Sequence, residues 1–181
     1  MLRIGIITGT TREGRVSPQV AEWVLLHQDK TSMALEIVDI KDYDLPFMGT
    51  ADAPGIATFK KKIGSLDGFI FVTGEYNHSI PAALKNALDL VKDEWANKAA
   101  GIVSYGSLGG ARAAEHLRGI LGELQIADVR SHTALSMFTD FENWSVFKPA
   151  DLHLSNLTTM FSQLEAWSNA LKAVREAKKD A

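Results

Sequence analysis

What most constrains this chain is an alternation: short apolar, β-branched runs recur between longer segments whose apolar residues fall three and four apart. Each short run suits a strand, and each longer one suits a helix with a single apolar face. Units repeated in this order bury themselves as a parallel sheet covered by helices on both faces. Residues 2–8, ending at Gly9, read as the first strand and residues 35–40 as the second. The most apolar run, 68–73, is expected at the centre of the sheet, and 99–105 and 126–136 supply the fourth and fifth strands.

Helical patterns lie between them. Val20, Trp23, Val24 and His27 share a face, as do Ile56, Phe59, Lys60 and Ile63. Residues 81–91 follow the third strand with Pro81 in the first turn, and 111–124 follow the fourth. The tail, 151–179, carries Leu154, Leu157, Phe161, Leu164, Trp167, Leu171 and Val174 on one stripe and reads as a long docked helix. Residues 138–149 have aromatics but no period and are expected to form a mobile loop. With no repeat or linker, all 181 residues are expected to form one domain.

Composition excludes several function classes. Lys and Arg number 19 against 22 Asp and Glu, a net charge of −3, which argues against a nucleic-acid partner. The absence of cysteine removes thiolate catalysis, disulfides and Cys-ligated metal centres. No apolar stretch approaches the roughly 18 residues needed to cross a bilayer, and the first residues lack a leader's pattern. A cytoplasmic protein with no membrane partner is therefore expected.

In a sheet of this kind ligands bind beyond the carboxyl ends of the strands, and three loops expected there are unusual. The first contains Gly9, Thr10, Thr11, Arg12, Glu13, Gly14, Arg15, Val16 and Ser17. Its hydroxyls, arginines and following helix suit an anion. Gly9 to Gly14 has Walker A spacing, yet Arg15 and Val16 stand where the lysine and the magnesium-binding hydroxyl belong, and no dinucleotide glycine pattern follows the strand. A terminal monophosphate fits what remains, although an ordinary capped turn has the same composition.

The second loop, with Glu75, Tyr76 and Asn77, suits the edge of a flat heteroaromatic ligand; its plainer reading is Ser79 as a helix cap and Tyr76 as a surface aromatic. His78 has no evident partner and is left outside the site. The third loop runs from Ser104 through Gly106, Ser107, Gly109 and Gly110, more glycine than a simple turn requires.

These segments, together with Pro81-Ala82-Ala83-Leu84-Lys85-Asn86 after the second loop, resemble the NADPH-dependent FMN reductase family over roughly residues 1–125. The resemblance implies a flavodoxin-like three-layer sandwich with a five-stranded parallel sheet. It makes Thr10, Arg12 and Ser17 the FMN phosphate ligands, with Arg15 as an extra cation. Glu75, Tyr76 and Asn77 would hold the isoalloxazine, and Ser104, Gly106, Ser107, Gly109 and Gly110 would border it. One departure stands out: many relatives carry proline before the Glu-Tyr-Asn triplet, and here it is Gly74, which implies a more flexible loop.

The implied activity is hydride transfer from NADPH or NADH through FMN to a free flavin, quinone or similar acceptor, without a catalytic protein nucleophile or metal. The alternative is a flavodoxin-like electron carrier with no nicotinamide site. The resemblance also implies a homodimer or homotetramer pairing through the helix after the second loop. Ala83, Ala87 and Leu90 broaden that helix's apolar surface, and Trp95 follows it; the plainer reading of Trp95 is that it closes the chain's own core.

Overall fold

The computed structural model describes residues 1–28 and 33–177. Strands β1 (Leu2–Thr8), β2 (Met33–Asp39), β3 (Gly68–Gly74), β4 (Lys98–Gly106) and β5 (Ile126–Ser136) form one parallel sheet in the order β2-β1-β3-β4-β5. This is the flavodoxin-like order, whose crevice opens where the chain direction across the sheet reverses, between the loops after β1 and β3.

Period two along β3 divides the core. Phe69 and Phe71 face α2 (Pro54–Gly64), α3 (Ala82–Leu90) and α4 (Ala111–Glu123), while Ile70 and Val72 face α1 (Ser17–Leu26) and α5 (His153–Ala177). Every residue of β3 and β4 is buried, as strands covered on both faces must be. Trp95 is fully buried against Phe59, Phe69 and Phe71, so it closes the core of its own chain. Helix α3 starts one residue later than expected, with Pro81 in the cap position.

The stripe on the C-terminal helix needs a correction. Leu157, Met160, Phe161, Leu164 and Ser168 are buried, whereas Trp167 and Val174 are exposed. The helix lies so close to the sheet that a Cβ on Gly101 would come within 2.6 Å of Met160 Sδ. Of the expected tail helix, residues 178 and 179 lie outside the described residues.

Residues 138–149 are also not the aperiodic loop expected from sequence. Phe141–Glu142 and Val146–Phe147 pair as an antiparallel hairpin, β6 and β7, whose turn places Asn143 and Trp144 at φ of 49° and 59°. Two successive left-handed residues make a tight hairpin turn whose twist suits the flanking strands. Beneath it, the buried Asp140 carboxylate accepts hydrogen bonds from Ser136 N (2.8 Å), Ala150 N (3.3 Å) and His153 Nε2 (2.8 Å). Burial opposes its charge, but these donors prevail and hold the carboxyl below the usual range. Gln19 of α1 clamps the hairpin from the side, donating to Ser145 O and accepting from Phe147 N.

Candidate functional site

At the carboxyl edge of β1, the amide of Gly9 donates to Val72 O of β3 at 2.8 Å, and a Cβ there would lie 3.0 Å from Leu84 Cδ2. The chain therefore leaves the strand pressed against β3 and α3. Thr10 and Ser17 are both buried, their hydroxyl oxygens 2.6 Å apart. Ser17 opens α1, whose cap residue, Val16, supplies no side-chain acceptor to the first amide groups. These amides carry the positive end of the helix dipole. Arg12 reaches across the crevice, its Nε donating to the Tyr76 hydroxyl at 2.8 Å.

In the second loop, Tyr76 and Ser79 exchange backbone hydrogen bonds of 2.9 and 3.0 Å around Asn77 (φ 48°) and His78 (φ 69°). Asparagine tolerates this conformation and histidine less so, and the turn lifts both to the surface. Ser79 does not cap α3; its hydroxyl meets His116 Nδ1 at 3.1 Å. Glu75 turns the other way. Its buried carboxylate accepts from Arg112 N (3.1 Å) and Arg112 Nε (2.7 Å) at the start of α4. Burial disfavours the ionised form, yet Arg112 and the amides of Ala113 and Arg112 keep the carboxyl below its usual range.

The third loop is held under the second. Gly109 and Gly110 have φ of 69° and 72°, and a Cβ on Gly110 would stand 2.9 Å from the backbone N and O of Tyr105. Only glycine meets both demands. Ser104 Oγ donates to Gly109 O at 2.5 Å and lies 2.7 Å from His132 Nε2. Because a carbonyl only accepts, the Ser104 proton goes to Gly109 and the imidazole N–H donates to Ser104. Burial, with the nearby Arg118 charge, lowers the His132 pKa to about 4, so the ring is neutral at physiological pH.

Residues 2–140 match the profile of the NADPH-dependent FMN reductase family. This chain belongs to that family. An NAD(P)H-dependent FMN reductase of Schizosaccharomyces pombe is 34% identical over 178 residues, covering 89% of this chain and 88% of that one. An NAD(P)H:quinone oxidoreductase of Solanum tuberosum is 36% identical over 132 residues, 66% of this chain and 67% of the relative. Among solved structures, the flavoenzyme NAD(P)H:(acceptor) oxidoreductase FerB from Paracoccus denitrificans superposes with a TM-score of 0.74 at 18% identity, covering 92% of this chain and 98% of that chain, which establishes the shared fold. The chain is thus an oxidoreductase of the FMN- and NAD(P)H-dependent type.

The site of this reductase fits FMN. It offers two buried hydroxyls and a guanidinium beside a helix start, with the exposed, left-handed Gly14 between Arg12 and Ser17 in the same loop. Thr10, Arg12, Ser17 and Tyr76 are brought together, with Glu75, Gly106, Gly109 and Gly110 stacked behind them and Asn77 and Ser107 exposed at the rim. Arg15 differs from its expected role as an extra cation. Its guanidinium pairs with Asp39 through bonds of 2.7 and 2.5 Å and donates to Thr10 O at 2.7 Å. Nor does Gly74 loosen the loop: it is buried at the end of β3, with the Tyr105 ring in the space a side chain would take.

Sequence reasoning missed Asp39, Tyr105, Arg112 and His132, each joined to the reductase site by contacts spanning 24 to 95 positions. It also missed a cavity of about 480 Å³ beside the first loop, lined by Thr11, Tyr43, Phe47, Ala83 and Asn86.

Proposed function

We propose that this chain is an NAD(P)H-dependent, FMN-containing reductase in which Thr10, Arg12 and Ser17 hold the flavin phosphate. Glu75, Tyr76 and Asn77 border the isoalloxazine on one side, and Ser104, Gly106, Ser107, Gly109 and Gly110 on the other. Arg15 braces the loop by fixing the Thr10 carbonyl and adds charge only behind the Asp39 pair. The carrying observation is the buried Thr10–Ser17 hydroxyl pair beside Arg12, at the start of a helix without a side-chain cap.

FMN, when bound, supplies the hydride relay between nicotinamide donor and acceptor. The protein's part is positional. The Arg12–Tyr76 bond ties the first two loops together, Glu75–Arg112 ties the second to α4, and Ser104 fixes the glycines of the third. Loops so tied can hold a flat ring in one orientation. Relatives named as quinone oxidoreductases support a quinone as acceptor, and one named as an FMN reductase supports free flavin. Donor and acceptor would use the same face in turn.

We also read the chain as one domain forming a homodimer or homotetramer through α3. Supporting this, Phe47 and Met48 are exposed beside that helix, where Met48 N donates to Asn86 Oδ1. Trp95 adds nothing to the argument, being inside the core. A cytoplasmic location agrees with the absence of cysteine and with the described residues, among which no helix is long and apolar enough to cross a membrane.

The test is an absorption spectrum of the purified protein, followed by anaerobic mixing with NADPH. A yellow protein that bleaches supports the reductase; yellow that persists with both NADPH and NADH indicates an electron carrier instead. Reconstitution with FMN and FAD should favour FMN, and tighter FAD binding would sink the phosphate assignment. Light scattering that shows a fully active monomer would refute the oligomer.

A further inference from the structure

Tyr105 is buried near the end of β4, yet its hydroxyl lies 3.5 Å from Thr10 Oγ1 in the loop after β1. Strand β3 stands between those two strands, so a β4 side chain reaches the first loop only by crossing it. Gly74 is the gap that makes this possible. A Cβ there would lie 3.0 to 3.1 Å from Tyr105 Cε2, Cζ and Oη, so any side chain would force the ring out of its present position by a few tenths of an ångström.

Each hydroxyl carries one proton. In the Thr10–Ser17 pair one hydroxyl donates to the other, leaving a single proton for an outside acceptor. A phosphate dianion is bound best when every neighbouring hydroxyl donates to it. A third hydroxyl donating into the pair from the protein side makes up the deficit. We propose that Tyr105 is this positioning residue: its phenol donates to Thr10, releasing the Thr10 and Ser17 protons toward the bound phosphate, and Gly74 is the residue that admits it. Burial holds the phenol's pKa above its ordinary value, so the donor persists throughout the physiological range. At 3.5 Å the two oxygens stand beyond the ordinary O–H···O range, so the proposed donation requires them to close as the Thr10–Ser17 bond opens.

The inference rests on the phosphate site proposed above and assigns that site's discrimination for a phosphorylated flavin. Tyr105→Phe removes one oxygen and preserves the ring's packing. Dissociation constants for FMN and riboflavin, which differ only in the phosphate, are measured on wild type and variant. FMN binding should weaken about tenfold, on the scale of one hydrogen bond, with riboflavin binding unchanged. Gly74→Ala should lower the preference for FMN in the wild-type background and leave it unaltered in the Tyr105→Phe background. Equal weakening of both flavins would reduce Tyr105 to a packing residue and overturn the proposal, as would unchanged FMN affinity. Wild type that binds neither flavin, or both equally, would overturn the phosphate site itself and this inference with it.

Discussion

The first loop and the segment from Ser136 to His153 are both irregular chain at the edges of the sheet, yet they use their polar groups in opposite ways. Around Asp140 the donors and acceptors face inward: two amides and an imidazole converge on one buried carboxylate, and Gln19 closes both of its bonds on the hairpin. In the first loop the Thr10 and Ser17 hydroxyls meet each other, and α1 begins without a side-chain acceptor for its leading amides. Inward satisfaction builds a scaffold, whereas two hydroxyls bonded to each other, beside helix amides that no side chain caps, leave donor capacity for a ligand.

The contrast breaks first at Asp140. Asp140→Ala should cost about 3 kcal/mol in chemical denaturation, because it strands the buried His153 imidazole and leaves the part-buried amides of Ser136 and Ala150 without their acceptor. The carboxyl's folded-state pKa is depressed, so its contribution is complete above the unfolded value of about 3.9 and is lost as pH falls through the lower, folded value. Asp140→Asn should therefore flatten the loss of stability in acid. Arg12→Ala belongs to the other class: FMN binding should weaken by about 1.5 to 3 kcal/mol while thermal stability hardly moves, since the side chain is exposed. A matching drop in melting temperature would make Arg12 part of the scaffold.

Gln19→Ala should cost about 1 kcal/mol of stability and leave FMN affinity alone, although α1 carries both Gln19 and Ser17. A changed FMN affinity would show that hairpin and phosphate loop are not independent. The smallest effect is expected at Lys148, whose bond to Glu142 joins two exposed side chains. Lys148→Ala should change stability by less than about 0.5 kcal/mol, and a larger loss would place this surface pair within the scaffold.

Much of the fold was legible because burial on both faces leaves a dense signal. Gly68 through Thr73 could hardly be anything but a central strand, and β1 and β5 begin and end where their apolar patterns do. The hairpin was not legible: its strands are two residues each, too short for a period, and a left-handed Trp144 is not what a turn ordinarily selects. The loops of the site were legible as loops, since hydroxyls and glycines cluster within a few positions. Their wiring was not, because Arg15 finds Asp39 across β1 and β2 and Tyr105 finds Thr10 across β3. Even Glu75, within the motif, turns its carboxylate to Arg112 and away from the crevice between the first two loops.

The Arg15–Asp39 pair has a kinetic consequence. With that guanidinium neutralised and Glu13 beside Arg12, the mouth of the first loop exerts little long-range pull on an anion. Flavin capture should then depend on the shape of a preformed pocket, with an association rate that changes little between dilute buffer and physiological salt. Selectivity would be expressed in how long a flavin stays bound.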